Sequence, residues 1–256
     1  MSAAALVVAA LSPPAWAQAP VEETIARVKA SIVAIGTFER TRSPPFRFLG
    51  TGFAVGDGTL VATNAHVVPS STDAAKREDI AILVPAPLRE GREPEVRMRI
   101  ARPVARDAAH DLALLRIEGA PLPALAFGDS STVREGRDVY FTGFPIGAVL
   151  GVIPATHRAT IAAITPIAIP QKRDGELGAA TIRRLQGGAF PVFQLDGTAY
   201  PGNSGSPVYE AATGAVIGII NMVLVKASRE SLLAQPSGIA YAIPSVHLRD
   251  LIAELR

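Results

Sequence analysis

Short apolar runs, broken at close intervals by Gly, Pro, Asp and Ser, occupy most of this chain, and their spacing predicts strands rather than helices. A first set of six comprises Ser31–Phe38, Thr51–Val55, Leu60–Thr63, Ile80–Val84, Val96–Ala105 and Leu112–Ile117, with Gly56-Asp57-Gly58 as a tight hairpin turn. A second set comprises Val139–Gly143, Val149–Ile164, Phe190–Asp196, Ser206–Tyr209, Val216–Leu224 and Ile239–Ile243. Pro121-Leu122-Pro123 separates them, dividing an all-β chain into halves at about 31–120 and 124–244. Helical spacing is confined to two short ends. Val21–Ala30 follows Pro20 and carries Glu22 and Glu23 in its first turn, where the helix dipole favours negative charge. In the segment 245–256, Ser245 is placed to cap a helix whose Val246, Leu248, Leu251, Ile252 and Leu255 form one apolar stripe. Ile167–Gly188, with Lys172, Arg173, Arg183 and Arg184, reads as a long exposed loop.

Composition narrows the setting. The chain has 256 residues and no cysteine, which excludes disulfides, thiolate metal sites and cysteine catalysis. Lys and Arg total 25 against 23 Asp and Glu, and aromatic residues make up 5%, so no basic, aromatic-rich surface for nucleic acid is expected. Residues 1–17 read as a secretory signal peptide: Ala3–Leu11 is an apolar core and Ala15-Trp16-Ala17 a small-residue cleavage site ahead of Gln18, although no Lys or Arg precedes the core. The apolar run is well short of the roughly 20 residues a spanning helix needs, so export to the periplasm or beyond is expected, with no stable membrane insertion after cleavage and the mature domain at 18–256.

Three stretches carry chemistry: Thr63-Asn64-Ala65-His66-Val67-Val68, His110-Asp111-Leu112-Ala113-Leu114-Leu115 and Gly202-Asn203-Ser204-Gly205-Ser206-Pro207. A serine hydroxyl is a weak nucleophile at neutral pH and needs a base within hydrogen-bond reach; histidine suits that role, and a carboxylate can fix its tautomer. His66, Asp111 and Ser204 supply these groups in the chain order used for acyl transfer on a double β-barrel, and Gly202 and Gly205 bracket the serine where backbone N–H groups must meet an oxyanion. Taken singly, each stretch has a plainer reading: a turn, a core histidine, the start of a buried strand. Taken together and in order, they favour catalysis. The remaining histidines, His110, His157 and His247, lack the spacing of metal ligands, and neither metal nor cofactor is expected. His110 adjoins Asp111, and because adjacent residues on a strand point to opposite faces, only one of the two is expected to face the cleft and the other to be structural.

On these motifs the chain resembles the trypsin-like serine peptidases, and within them the bacterial Deg/HtrA proteases. The likeness extends through Gly50-Thr51-Gly52-Phe53, Gly128-Asp129-Ser130, Phe193-Gln194-Leu195-Asp196 and Gly238-Ile239-Ala240-Tyr241-Ala242-Ile243-Pro244-Ser245. It implies a double six-stranded antiparallel β-barrel with the active site in the crevice between the barrels. It also implies His66 as general base, Asp111 as its orienting partner, Ser204 as nucleophile, and the N–H groups of Gly202 and Ser204 as oxyanion hole. Ser206 departs from the glycine usual two residues after the nucleophile. The family's PDZ domains have no counterpart before Arg256, so substrate capture through them is not carried over.

The resemblance places Ala199 and Ile239 on the walls of the primary specificity pocket and Thr198 near its base, with Asn221, Met222 and Val223 as the edge to which substrate backbone adds. With no charged residue among them, the pocket would leave a Lys or Arg side chain without a counter-ion, so cleavage after Val, Ala, Ile or Leu is expected. The expected substrates are unfolded or extended polypeptides, since an edge strand binds by backbone pairing. A weakly proteolytic holdase on the same fold is the alternative. An esterase is disfavoured by the absence of a Gly-x-Ser-x-Gly elbow, and homo-oligomerisation is left open.

Overall fold

A computed structural model describes residues 20–86, 95–147, 152–167, 190–221 and 238–255. Two closed six-stranded antiparallel barrels account for its strands. The first contains β1 (Ile32–Phe38), β2 (Phe46–Val55), β3 (Leu60–Asn64), β4 (Asp79–Pro85), β5 (Val96–Asp107) and β6 (Leu112–Ile117), closed in the order β1-β2-β3-β6-β5-β4. The second contains β7 (Asp138–Gly143), β8 (Ala155–Ile167), β9 (Phe190–Leu195), β10 (Pro207–Glu210), β11 (Val216–Ile220) and β12 (Ala240–Pro244), closed in the order β10-β11-β12-β9-β8-β7. Helices α1 (Val21–Lys29) and α2 (Ser245–Ala253) lie at the two ends of the chain.

β1, β3, β6 and the second half of β2 are buried on both faces, and the packing explains why. Side chains alternate along a strand. Val33, Ile35, Ala54, Val61, Ile82, Ala113 and Leu115 fill one core, whereas Ile32, Ala34, Phe53, Val55, Ala62, Leu112 and Leu114 join a separate cluster with Tyr209, Val216, Ile219 and Ile243 of the second barrel. Val28 of α1 and Leu248 and Leu251 of α2 complete that cluster, so both helices pack into the layer between the barrels. The second barrel has its own core, including Phe141, Ile161, Phe193, Leu195 and Val208. A cleft built along this seam rests on three buried apolar layers. Rigidity of that kind holds side chains from distant stretches in one geometry.

Two details of α2 differ from expectation. Ser245 is its first residue, preceded by Pro244, and makes no cap; its hydroxyl donates instead to the Gly128 carbonyl at 3.5 Å. Of the expected stripe, Leu248 and Leu251 are buried, whereas Val246 and Leu255 are exposed, because a helix of nine residues lying on a curved barrel meets it over little more than two turns. The expected signal segment, residues 168–188 of the expected loop Ile167–Gly188, and residues 149–151 and 222–224 of two expected strands lie outside the described residues; Ile167 itself ends β8, and the strand expected from Val149 starts at Ala155.

Candidate active site

His66 sits in a 3-10 turn, Ala65–Val67, at the end of β3. That turn is held on two sides: Ala65 N–H donates to the Asp111 carbonyl and Arg106 Nη2 donates to the Ala65 carbonyl, each at 2.9 Å. Asp111 lies one residue before β6 with φ of 53°, a left-handed conformation that a short polar side chain tolerates better than most. This kink aims its carboxylate back at His66. Oδ1 accepts from the His66 backbone N–H at 2.9 Å, and Oδ2 lies 2.5 Å from His66 Nδ1.

An acceptor at Nδ1 keeps the imidazole proton on that nitrogen and leaves Nε2 with its lone pair. Nε2 is 2.9 Å from Ser204 Oγ. The arrangement can therefore draw a proton from the hydroxyl as the oxygen attacks. Asp111 and Ser204 are buried, at 7% and 6% exposure, which keeps competing water from both groups.

Ser204 occupies a turn whose backbone groups are nearly all used. Asn203 N–H donates to Tyr200, Ser206 N–H to Asn203, and Gly205 N–H to Ile220, at 2.9, 2.9 and 3.0 Å. Among the described residues, the N–H groups of Gly202 and Ser204 have no protein acceptor. The Pro201 carbonyl accepts from Ile146 N–H at 2.8 Å, so the N–H on the other side of the Pro201–Gly202 peptide points away from Ile146. Gly202 has φ of 106° and Gly205 φ of 86°, which glycine adopts without steric cost. A Cβ on Gly205 would also collide with the Thr51 carbonyl.

Asn221, expected on the substrate edge, points elsewhere. It is fully buried one residue past β11, its backbone N–H donates to the Tyr241 carbonyl, and its Nδ2 donates to Asp111 Oδ2 at 2.8 Å. Its side chain thus belongs to the His66–Asp111 pair. No spacing in the sequence links positions 110 residues apart, which is why this partnership was missed. Met222 and Val223 lie outside the described residues. Of the expected pocket residues, Ala199 is buried, Thr198 half-buried and Ile239 44% exposed.

The alternation argument for His110 fails, because β6 starts only at Leu112 and His110 belongs to the preceding turn. Its Nδ1 lies 2.6 Å from Asp107 Oδ2 and its ring stacks on His247 of α2 at 3.8 Å. Burial, reinforced by the neighbouring His110, holds the His247 pKa below its ordinary value, while Asp107 and Asp250 pull the other way. Among the described residues, no three His, Asp or Glu side chains converge as a metal site, and no helix is long and apolar enough to cross a membrane.

Residues 50–219 match the family model of the trypsin-like peptidase domain. The chain belongs to that family. Its relatives are Deg/HtrA proteases. It is 29% identical over 210 residues to the "Probable periplasmic serine endoprotease DegP-like" of Halomonas elongata, covering 82% of this chain and 35% of that protein. It is 30% identical over 246 residues to serine protease HTR4 of Bos taurus, covering 91% of this chain and 41% of that protein. The chain thus spans well under half the length of these curated relatives. The solved structure of the HtrA-type protease AlgW with decapeptide superposes with a TM-score of 0.63 at 23% identity, covering 92% of this chain and 67% of that one, and shares the fold of this trypsin-like domain.

Proposed function

We propose that this chain is an exported serine endopeptidase that cleaves extended or unfolded polypeptides through an acyl-enzyme. Ser204 is the nucleophile, His66 the general base and then acid, and Asp111 the group that orients and stabilises the imidazolium. The N–H groups of Gly202 and Ser204 form the oxyanion hole. The observation carrying this reading is the continuous chain Asp111 Oδ2–His66 Nδ1, His66 Nε2–Ser204 Oγ at 2.5 and 2.9 Å, with two unengaged N–H donors at the same turn. A module that only gripped polypeptide would have no need of that proton path.

In the first half-reaction, Oγ bonds to the scissile carbonyl carbon while its proton passes to Nε2. The tetrahedral oxyanion is met by the two N–H groups, and collapse expels the amine, which takes the proton from Nε2. Water then attacks the ester by the same route, with Nε2 as base, and releases the carboxylic acid and the Ser204 hydroxyl. The uncharged residues Thr198, Ala199 and Ile239 support cleavage after Val, Ala, Ile or Leu, and the relatives named as serine endoproteases support a polypeptide substrate, bound extended by backbone pairing. The DegP-like relatives named as periplasmic support export, with residues 1–17 as its signal. Incubating the chain with an unfolded protein and a peptide library tests the reading. Cleavage after small and medium aliphatic residues is expected, reduced by Ser204→Ala to the roughly 10³- to 10⁴-fold enhancement over the reaction in water that the remaining site supplies. Cleavage chiefly after Arg or Lys contradicts the pocket, and cleavage undiminished in Ser204→Ala contradicts the mechanism.

A further inference from the structure

Thr51, a residue of the first barrel, is wired into the nucleophile turn of the second. It is fully buried in β2. Its backbone N–H donates to the Ser204 carbonyl at 2.9 Å, and its hydroxyl donates to the Gly202 carbonyl at 2.7 Å. That same hydroxyl accepts from Phe144 N–H at 3.1 Å, and the Thr51 carbonyl accepts from Thr63 Oγ1 at 2.7 Å. A hydroxyl has one proton. With Phe144 N–H filling a lone pair of Oγ1, that proton is committed to Gly202, so the direction of the bond is fixed.

Two carbonyls of the turn, those of Gly202 and Ser204, are thereby held by one residue. Between them lies the Asn203–Ser204 peptide, whose N–H is one of the two unengaged donors. Fixing the peptide planes on both sides fixes where that donor points. Gly202, with φ of 106°, has the conformational freedom of glycine and no side chain of its own to hold it. The neighbouring side chains give no substitute: Asn203 Oδ1, Asn203 Nδ2 and Ser206 Oγ are buried and make no hydrogen bond among the described residues, so beside the turn's own backbone bonds the Thr51 hydroxyl is the side-chain anchor of the Gly202 carbonyl.

We propose that Thr51 is a positioning residue for catalysis: its hydroxyl clamps the Gly202 carbonyl and so holds the N–H donors of the nucleophile turn in the orientation that receives the oxyanion. This rests on the serine peptidase reading above. It makes the seam between the barrels part of the catalytic apparatus in a second way, because the first barrel supplies both the base and the clamp on the second barrel's anion site.

The experiment compares Thr51→Val, Thr51→Ala and Thr51→Ser with the parent chain on a peptide amide, with kcat expressed per site titrated by an active-site phosphonate. Valine and alanine remove the hydroxyl; serine keeps it. Thr51→Val and Thr51→Ala are expected to lose roughly 10- to 100-fold in kcat with KM changed by less than about threefold, short of the loss from deleting an oxyanion donor outright. Thr51→Ser is expected within about threefold of the parent. Parent-level kcat per titrated site in a folded Val or Ala variant overturns the proposal, as does a loss that Ser fails to rescue. Amide hydrogen exchange at Phe144, read by NMR, tests the clamp without requiring turnover. Its rate should rise at least about tenfold in Thr51→Val and stay at the parent value in Thr51→Ser, and unchanged exchange in Thr51→Val overturns the clamp. A parent chain that neither cleaves nor reacts with the phosphonate contradicts the peptidase reading, while the exchange rates still decide whether Thr51 holds the turn.

Discussion

Asn221 Nδ2 and His66 Nδ1 share one oxygen, Oδ2 of Asp111, at 2.8 and 2.5 Å. The aspartate is consequently oriented from both barrels: His66 comes from the first, Asn221 from the second. An amide at position 221 donates and so complements a carboxylate; a second carboxylate there would repel it. Asn221→Ala should lower kcat by about tenfold, as loss of a partner that orients a functional side chain does, and Asn221→Asp should lower it further. Steady-state kinetics on one peptide substrate ranks the two. Equal activity of Asn221→Asp and the parent would show that this contact does not matter.

Asp111→Asn keeps the shape of the side chain and changes what it can accept. An amide that turns its NH₂ toward Nδ1 forces the opposite tautomer on His66 and puts a proton on the nitrogen facing Ser204. A fall of about 10⁴-fold in kcat is expected, with the fold intact by circular dichroism.

Gly143, the last residue of β7, faces the polar cluster behind the nucleophile. A Cβ there would overlap Ser206 Oγ and press on Thr51 Oγ1 and Asn203 Oδ1. Gly143→Ala should therefore destabilise the domain by about 2 kcal/mol, because these short side chains are buried and Thr51 Oγ1 is held by its bonds to Gly202 and Phe144. Ser206→Ala deletes a hydroxyl that makes no hydrogen bond among the described residues and should change stability by less than about 1 kcal/mol. Urea titrations of the two variants give both numbers.

His157 stacks on Phe141 with ring centroids 4.8 Å apart, and its buried Nε2 has no partner among the described residues. Burial holds its pKa below the ordinary 6.5, so the folded chain binds this proton less readily than the unfolded chain does. The stabilising contribution is complete above pH 6.5 and is lost progressively as pH falls below it, toward the lower folded-state value. His247 acts in the same direction, burial again being the main cause. Thermal melts from pH 8 to pH 5 should show a falling Tm. His157→Phe, which keeps an aromatic ring on Phe141 and removes the titration, should flatten part of that fall.

What the sequence carried, and what it withheld, divides along the range of the interactions involved. Strand positions were legible because alternation, β-branched residues and Gly-rich turns act over a few neighbours, and Leu112–Ile117 was located to the residue. The doubly apolar run Ile32-Val33-Ala34-Ile35 did not say which face met the barrel core and which met the seam; only the second barrel's approach decides that. His66, Asp111 and Ser204 are legible as motifs, but the left-handed kink at Asp111 that turns its carboxylate toward His66 is not, and strand alternation does not apply to His110 and Asp111, which precede β6 in a turn. The side-chain bonds of Asn221 and Thr51 cross 110 and 151 positions. No local pattern encodes contacts of that range. Ser245 shows the converse: a good capping residue by type, it was claimed by the Gly128 carbonyl once α2 had docked.

In the proposed mechanism the imidazole of His66 activates the hydroxyl of Ser204. Treating the folded chain with a fluorophosphonate and locating the adduct by mass spectrometry tests this. One adduct is expected, on Ser204, formed at least about 10³ times more slowly in a folded His66→Ala variant. No adduct on the parent chain, or labelling of Ser204 at an equal rate without His66, would contradict it.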